Sequence, residues 1–141
     1  MNDYSYIDSA LYTFRALCTN VVDGDTIDVE LDLGFDTTQK RRLRLLDVDT
    51  PERKQDKFLK AKQFTESAVL NKEIRVQTYK AGNFGRYLAH VYYPTPNGFK
   101  ELSEELRAAN LIKANSKWNK EWWRVSDKLY SPIIYDPISK I

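Results

Sequence analysis

Two short acidic clusters and two arginines supply the parts that cleavage of a phosphodiester would require. The first cluster is Asp23-Gly24-Asp25-Thr26. The second closes the run Arg44-Leu45-Leu46-Asp47-Val48-Asp49-Thr50-Pro51-Glu52, and Arg86 follows in Gly85-Arg86-Tyr87-Leu88-Ala89. Such a reaction needs an aligned water, neutralisation of charge on the phosphoryl oxygens and a stabilised leaving oxygen. Asp25 and Asp49, with the backbone carbonyl of Thr50 as a third oxygen, form a candidate site for a hard divalent cation. Ca2+ tolerates irregular oxygen coordination, whereas Mg2+ demands a stricter octahedron. A cation held there acts as a Lewis acid and as a template. Arg44 and Arg86, entering from separate strands, can grip a phosphate from two sides, because guanidinium groups donate paired hydrogen bonds and stay charged. Glu52 is left to orient or deprotonate the attacking water, a role decided by geometry before pKa.

Each of these residues also has a plainer role open to it. Asp-Gly is common in hairpin turns, Glu52 near a helix start suits the helix dipole, and Arg44 could belong to a solvated basic strand with Lys40, Arg41 and Arg42. The elements around them decide how far they can converge. Residues 12–19 have strand composition, and Val21-Val22 runs into the Asp23-Gly24-Asp25 turn. Residues 26–33 alternate, with Ile27, Val29, Leu31 and Leu33 on one face. The two segments predict a hairpin that presents its carboxylates at one end of a sheet. Residues 40–46 make a third strand, on which alternation puts Arg42 and Arg44 on the same side. Residues 54–71 predict a helix with Phe58, Ala61, Phe64, Ala68 and Val69 on one face, and Pro51 as a start signal. Residues 73–79 and 87–93 are the fourth and fifth strands, separated by a Gly-rich turn, and residues 94–98 break the fifth. A short helix follows over about 101–109. Trp118, Trp122, Val125 and Leu129 mark another, and Trp123 lies off that stripe as the better candidate for an exposed contact. This order predicts an α+β chain: a five-stranded OB-fold β-barrel with about three packed α-helices. The expected domains are an arm over 1–11, the barrel domain over 12–130 and a tail over 131–141.

Composition narrows the classes. A chain of 141 residues with 42% hydrophobic and 30% charged residues suits one globular domain. A single cysteine and a single histidine exclude an intramolecular disulfide, a multi-cysteine zinc site and a His-rich metal cage. Cys18, amid strand residues, is expected to be a buried small hydrophobe. The N-terminus has no basic and apolar signal pattern, and no apolar run reaches membrane-span length. The reading is a soluble, monomeric protein with no membrane partner, cytoplasmic or, as the alternative, a secreted form whose signal has been removed. The net charge of +2 conceals an asymmetry: residues 1–39 hold one basic and eight acidic residues, and the remainder carries +9. An acidic segment beside a basic body suits a cation site facing a polyanion channel.

The three blocks, Val21 to Thr26, Arg44 to Glu52 and Gly85 to Ala89, resemble the signature blocks of the staphylococcal nuclease (thermonuclease) family, in order and at compatible spacing. The resemblance runs from about Thr13 to Leu129. It implies an OB-fold, Ca2+-dependent endonuclease acting on DNA and RNA and leaving 3′-phosphate ends. It further implies that Asp25, Asp49 and the Thr50 carbonyl hold calcium. Arg44 and Arg86 would stabilise the transition state, Glu52 would handle the water, and Asp23 would reach the metal through water. This chain has Asn83-Phe84 where the family's best-known member has Lys-Tyr, and Ser103 where an asparagine is usual early in the second helix. Its loop over 51–57 is also short. A catalytically silent nucleic-acid-binding barrel is the main alternative. The full set Asp25, Arg44, Asp49, Glu52 and Arg86 speaks against it, because binding alone requires neither a metal pair nor a water-handling glutamate. A third reading, a protein-interaction role for the two tails, is open to test by deleting them.

Overall fold

The computed structural model describes residues 3–80, 87–114 and 116. Its frame is a run of strands that hydrogen-bond in the order β3-β2-β1-β4-β5-β6, with a further β3–β5 pairing that closes the first five into a barrel. The elements are α1 (Ser5–Asp8), β1 (Thr13–Asp23), β2 (Thr26–Asp32), β3 (Thr38–Leu45), α2 (Phe58–Val69), β4 (Glu73–Lys80), β5 (Tyr87–Thr95), β6 (Gly98–Glu101) and α3 (Leu102–Ala108). The α+β barrel expected from the alternation of apolar residues is the architecture observed.

The length of β1 lets it serve two neighbours. Residues 13–17 pair with β4, and residues 15–23 pair with β2. Its register with β2 shifts between Cys18 and Asn20 and again between Val21 and Asp23. Such bulges bend a strand and re-aim its side chains, and the second lies beside the acidic turn. β3 is exposed through Arg42; only Leu43 and Leu45 turn into the core. Closure uses this same end, where Leu43, Arg44 and Leu45 lie parallel to Tyr87, Leu88 and Ala89. The barrel therefore closes at the position that carries Arg44. Ile27, Val29, Leu43, Leu45, Ile74, Val76 and Val91 fill the interior, each nearly or fully buried. Truncating one of these to alanine costs about 2–5 kcal/mol in well-packed cores.

α2 packs Ala61, Ala68 and Val69 into that core and leaves Leu59 exposed. Phe64 is partly buried against it. The helix begins at Phe58, four residues later than its composition suggests. Lys57 takes φ 69 there, a left-handed conformation that a helix cannot contain. The expected break at residues 94–98 is instead a hairpin: β5 continues to Thr95 and pairs with the additional strand β6, Pro94 opposite Phe99. Proline is tolerated because this hairpin lies at the sheet edge. The arm contains the short α1, none of whose residues is buried. Gln77 Nε2 ties it to β4 through the carbonyls of Ser9 (2.8 Å) and Leu11 (3.2 Å). Cys18 is fully buried as expected, and burial pushes its thiol up to about 11. The helix expected around Trp118, Trp122 and Leu129, Trp123, the tail over 131–141 and Arg86 lie outside the described residues. No helix among the described residues is long and apolar enough to cross a membrane.

Candidate active site

The acidic turn joins β1 to β2, with Asp23 paired to Thr26 across it. Gly24 is needed for space. A Cβ at Gly24 would lie 2.9 Å from Ala61 Cβ of α2 and 3.0 Å from Thr50 Oγ1. Its carbonyl accepts from the buried Thr65 hydroxyl at 2.7 Å, which fastens the turn to α2. Asp25 is 6% exposed. Its Oδ1 accepts from Thr26 Oγ1 at 3.0 Å, and its Oδ2 accepts from the backbone N–H of Thr50, also at 3.0 Å. The Asp25 carbonyl accepts from Leu45 N at 2.8 Å. The turn, the end of β3 and the second acidic loop are thus one hydrogen-bonded unit.

Arg44 occupies its centre. Nη1 donates to the carbonyls of Leu45 and Val48, both at 2.7 Å, which fixes the guanidinium plane. Nη2 lies 3.1 Å from Asp49 Oδ1 and 3.4 Å from Asp25 Oδ2. The two carboxylates that the sequence pairs as cation ligands therefore converge on one point. Arg42, on the same side of β3, instead makes an exposed ion pair with Asp28 at 2.7 Å.

The loop from Leu46 to Glu52 is held by its carbonyls. Asp47 takes φ 66. Ser103 Oγ, fully buried on α3, donates to Leu46 O at 2.6 Å, and Arg107 donates to Asp47 O. Lys113 N donates to Asp49 O at 2.7 Å. Ser103 thus fills a positioning role beneath the acidic loop. Arg107 and Lys113 were not legible in the sequence, since nothing in their local spacing marks them.

Glu52 is exposed, and its Oε1 accepts from Lys113 Nζ at 2.7 Å. That hydrogen bond, with the ammonium charge, holds the Glu52 carboxyl below its usual range and raises Lys113. Asp23 behaves oppositely. Partial burial and the charge of Asp25 push its carboxyl above the usual range, against the opposing pull of Arg53, Lys62 and Arg44. The Thr50 hydroxyl is buried with no hydrogen-bond partner among the described residues. Repelling carboxylates, an unpartnered buried oxygen and an all-oxygen donor set fit a hard divalent cation. No group of three His, Cys, Asp or Glu side chains gathers as a ligand set among the described residues. A bound cation would therefore draw further oxygens from backbone, water and substrate.

Comparison with known proteins places the chain among nuclease relatives. Residues 42–124 match the family described as Staphylococcal nuclease homologue. The chain is 34% identical over 122 residues to an Escherichia coli protein named "Uncharacterized endonuclease", covering 80% of this chain and 71% of that protein. It is 34% identical over 92 residues to a "Micrococcal nuclease" of Shigella flexneri, covering 64% of this chain and half of that one. It is also 33% identical over 78 residues to "Protein ParB" of Escherichia coli, covering 55% and 41% of the two chains.

Proposed function

The chain belongs to the family of staphylococcal nuclease homologues, and we propose that it is a calcium-dependent nuclease that cuts DNA and RNA with little regard to sequence and leaves 3′-phosphate ends. The observation that carries this reading is the convergence of Asp25 and Asp49 on the Arg44 guanidinium, at 3.4 and 3.1 Å, beside the Glu52 loop. A purely binding barrel has no use for two part-buried acids gathered at one point.

Calcium would be held by Asp25, Asp49 and the Thr50 carbonyl, with Asp23 acting through water, and would supply Lewis-acid stabilisation of phosphoryl charge. The protein's own groups do the rest. Arg44, oriented by two carbonyls, presents Nη2 where oxyanions gather. Arg86, which precedes Tyr87 in the sequence, would contact the same phosphate; Tyr87 itself opens β5 and pairs with Leu43 of β3. Glu52 is exposed and Lys113 holds its carboxyl below the usual range, so it would be ionised and would orient the attacking water or accept its proton. These groups address phosphate and not base edges, which explains the expected indifference to sequence.

Cleavage of labelled single-stranded DNA, with calcium and with chelator, tests the proposal. Calcium-dependent cutting is expected, with Glu52→Gln and Arg86→Ala each losing at least about 10²-fold, the scale of a lost general base or charge-stabilising donor. Full activity in chelator would remove the metal from the proposal. Binding without cutting, unchanged in both variants, would make the protein a nucleic-acid-binding barrel.

A further inference from the structure

After the acidic loop, residues 53–60, whose last three form the first turn of α2, fold around an open concavity of about 520 Å3. Arg53, Lys54, Lys57 and Lys60 line it, and Asp56 is its one acid. The segment is fixed in shape. Glu52 N donates to Gln55 Oε1 at 2.7 Å, and Gln55 N donates to Glu52 O at 2.8 Å. Lys57 reaches Asn110 O at 3.2 Å from its left-handed backbone position.

Arg53, Lys54 and Lys60 are exposed, and none of them has a carboxylate within ion-pair distance among the described residues. Some cations elsewhere on the surface are paired, Arg15 with Glu73 at 2.8 Å, Arg42 with Asp28 at 2.7 Å and Lys100 with Glu105 at 3.1 Å; Lys40, Arg41 and Lys72 are exposed without such a partner among the described residues but line no common concavity with one another. Like charges gathered on a preformed surface repel one another until an anion of matching extent arrives. The concavity begins at the residue after Glu52. The cluster therefore lies beside the loop that carries Glu52.

We propose that this basic shelf binds the backbone phosphates of the strand flanking the one being cut, so that Arg53, Lys54 and Lys60 set affinity for long substrates. The inference rests on the nuclease reading for its biological sense, but its main test does not need turnover. Binding of a fluorescent 24-nucleotide single strand is measured in chelator over a salt series, for wild type and for Arg53→Gln/Lys54→Gln/Lys60→Gln. Three lost phosphate contacts flatten the slope of log affinity against log salt by about 2, and affinity at low salt falls by roughly tenfold or more. The double variant Lys54→Gln/Lys60→Gln, which spares the neighbour of Glu52, shows about two-thirds of the flattening. Removing as many charges elsewhere, by Lys40→Gln/Arg41→Gln/Lys72→Gln, leaves most of the slope in place. In calcium, kcat/KM of the triple variant falls further on the 24-mer than on a trinucleotide. An unchanged slope, an equal flattening in the control triple or an equal loss on the trinucleotide overturns the shelf. Wild-type protein that binds with the expected slope but cuts neither strand overturns the nuclease reading and leaves the shelf standing.

Discussion

Lys113 Nζ lies 2.7 Å from Glu52 Oε1, and the backbone N–H of the same lysine lies 2.7 Å from the Asp49 carbonyl. One residue, 61 positions from Glu52, thus fastens both the glutamate proposed to handle the water and the loop that carries Asp49. Both side chains are at the surface, so the contact adds little to stability. Its effect falls on the charge of Glu52.

Lys113→Met should therefore shift the acid limb of the pH dependence of kcat/KM upward. Lys113 holds the Glu52 carboxyl low; in the proposed role the carboxyl must be ionised, so activity would be lost as pH falls through its pKa. Without the ammonium the loss begins at higher pH. Lys113→Arg should restore most of the wild-type profile, and thermal stability should change little in either variant. An acid limb unmoved by Lys113→Met would separate the lysine from the glutamate's titration.

Arg44→Ala should destabilise the protein in chelator. It leaves Asp25 and Asp49 facing each other and strips two carbonyls of their donor. Breaking one side of a buried pair costs about 3–5 kcal/mol; the cost here should be smaller because Arg44 and Asp49 are about one-fifth exposed. Calcium at about 100 times its Kd adds about 2.7 kcal/mol to a protein that binds it. It should therefore restore much of the lost stability without restoring cleavage. Urea titration with and without calcium measures this, and a variant whose stability ignores calcium would count against the acids as ligands.

How much of this was legible in the sequence depended on distance along the chain. Strand alternation revealed the barrel because burial on one face imposes a period of two on residues 26–33. Asp25 and Asp49 could be paired in advance because each sits at the end of a readable strand or turn, whereas the ion pairs that Arg44 makes with both acids were not foreseen. The helix start was misread because Pro51 resembles a start signal, whereas the left-handed Lys57 sets the boundary. β6 was hidden because residues 94–98 carry two prolines and a glycine, which normally end strands. Arg107 and Lys113 act through tertiary contacts 60 and 61 residues away, and no local pattern encodes such a partner.

Gly24→Ala should cost about 1–3 kcal/mol, the usual range for overpacking, because the new methyl would lie 2.9 Å from Ala61 Cβ and 3.1 Å from Thr50 Cβ. Relief would require moving the acidic turn away from α2 and the Thr50 loop, so cleavage should fall with stability. Adding Ala61→Gly should recover part of the loss despite the cost of about 1 kcal/mol for glycine inside a helix. A double-mutant cycle with no coupling between the two sites would contradict the close packing that keeps this glycine.

Asp23→Asn should raise stability at neutral pH in chelator and lower it, relative to wild type, in calcium. The folded-state pKa of Asp23 is raised above its ordinary 3.8 by burial and by Asp25. A carboxyl raised on folding binds its proton more tightly in the native state. The stability it contributes is therefore present below pH 3.8 and is lost as pH rises through the raised native value. Asparagine carries no such charge, so the variant should lead at pH 7 and the lead should close below the ordinary carboxylate range. Because Asp23 is only partly buried, the lead should be small. Calcium should favour the wild type, whose carboxylate it neutralises, and so reverse the order. Thermal melts at pH 3 and pH 7, with chelator and with calcium, decide the matter: a wild type more stable than Asp23→Asn at pH 7 in chelator would refute the repulsion, and an order unchanged by calcium would separate Asp23 from the cation.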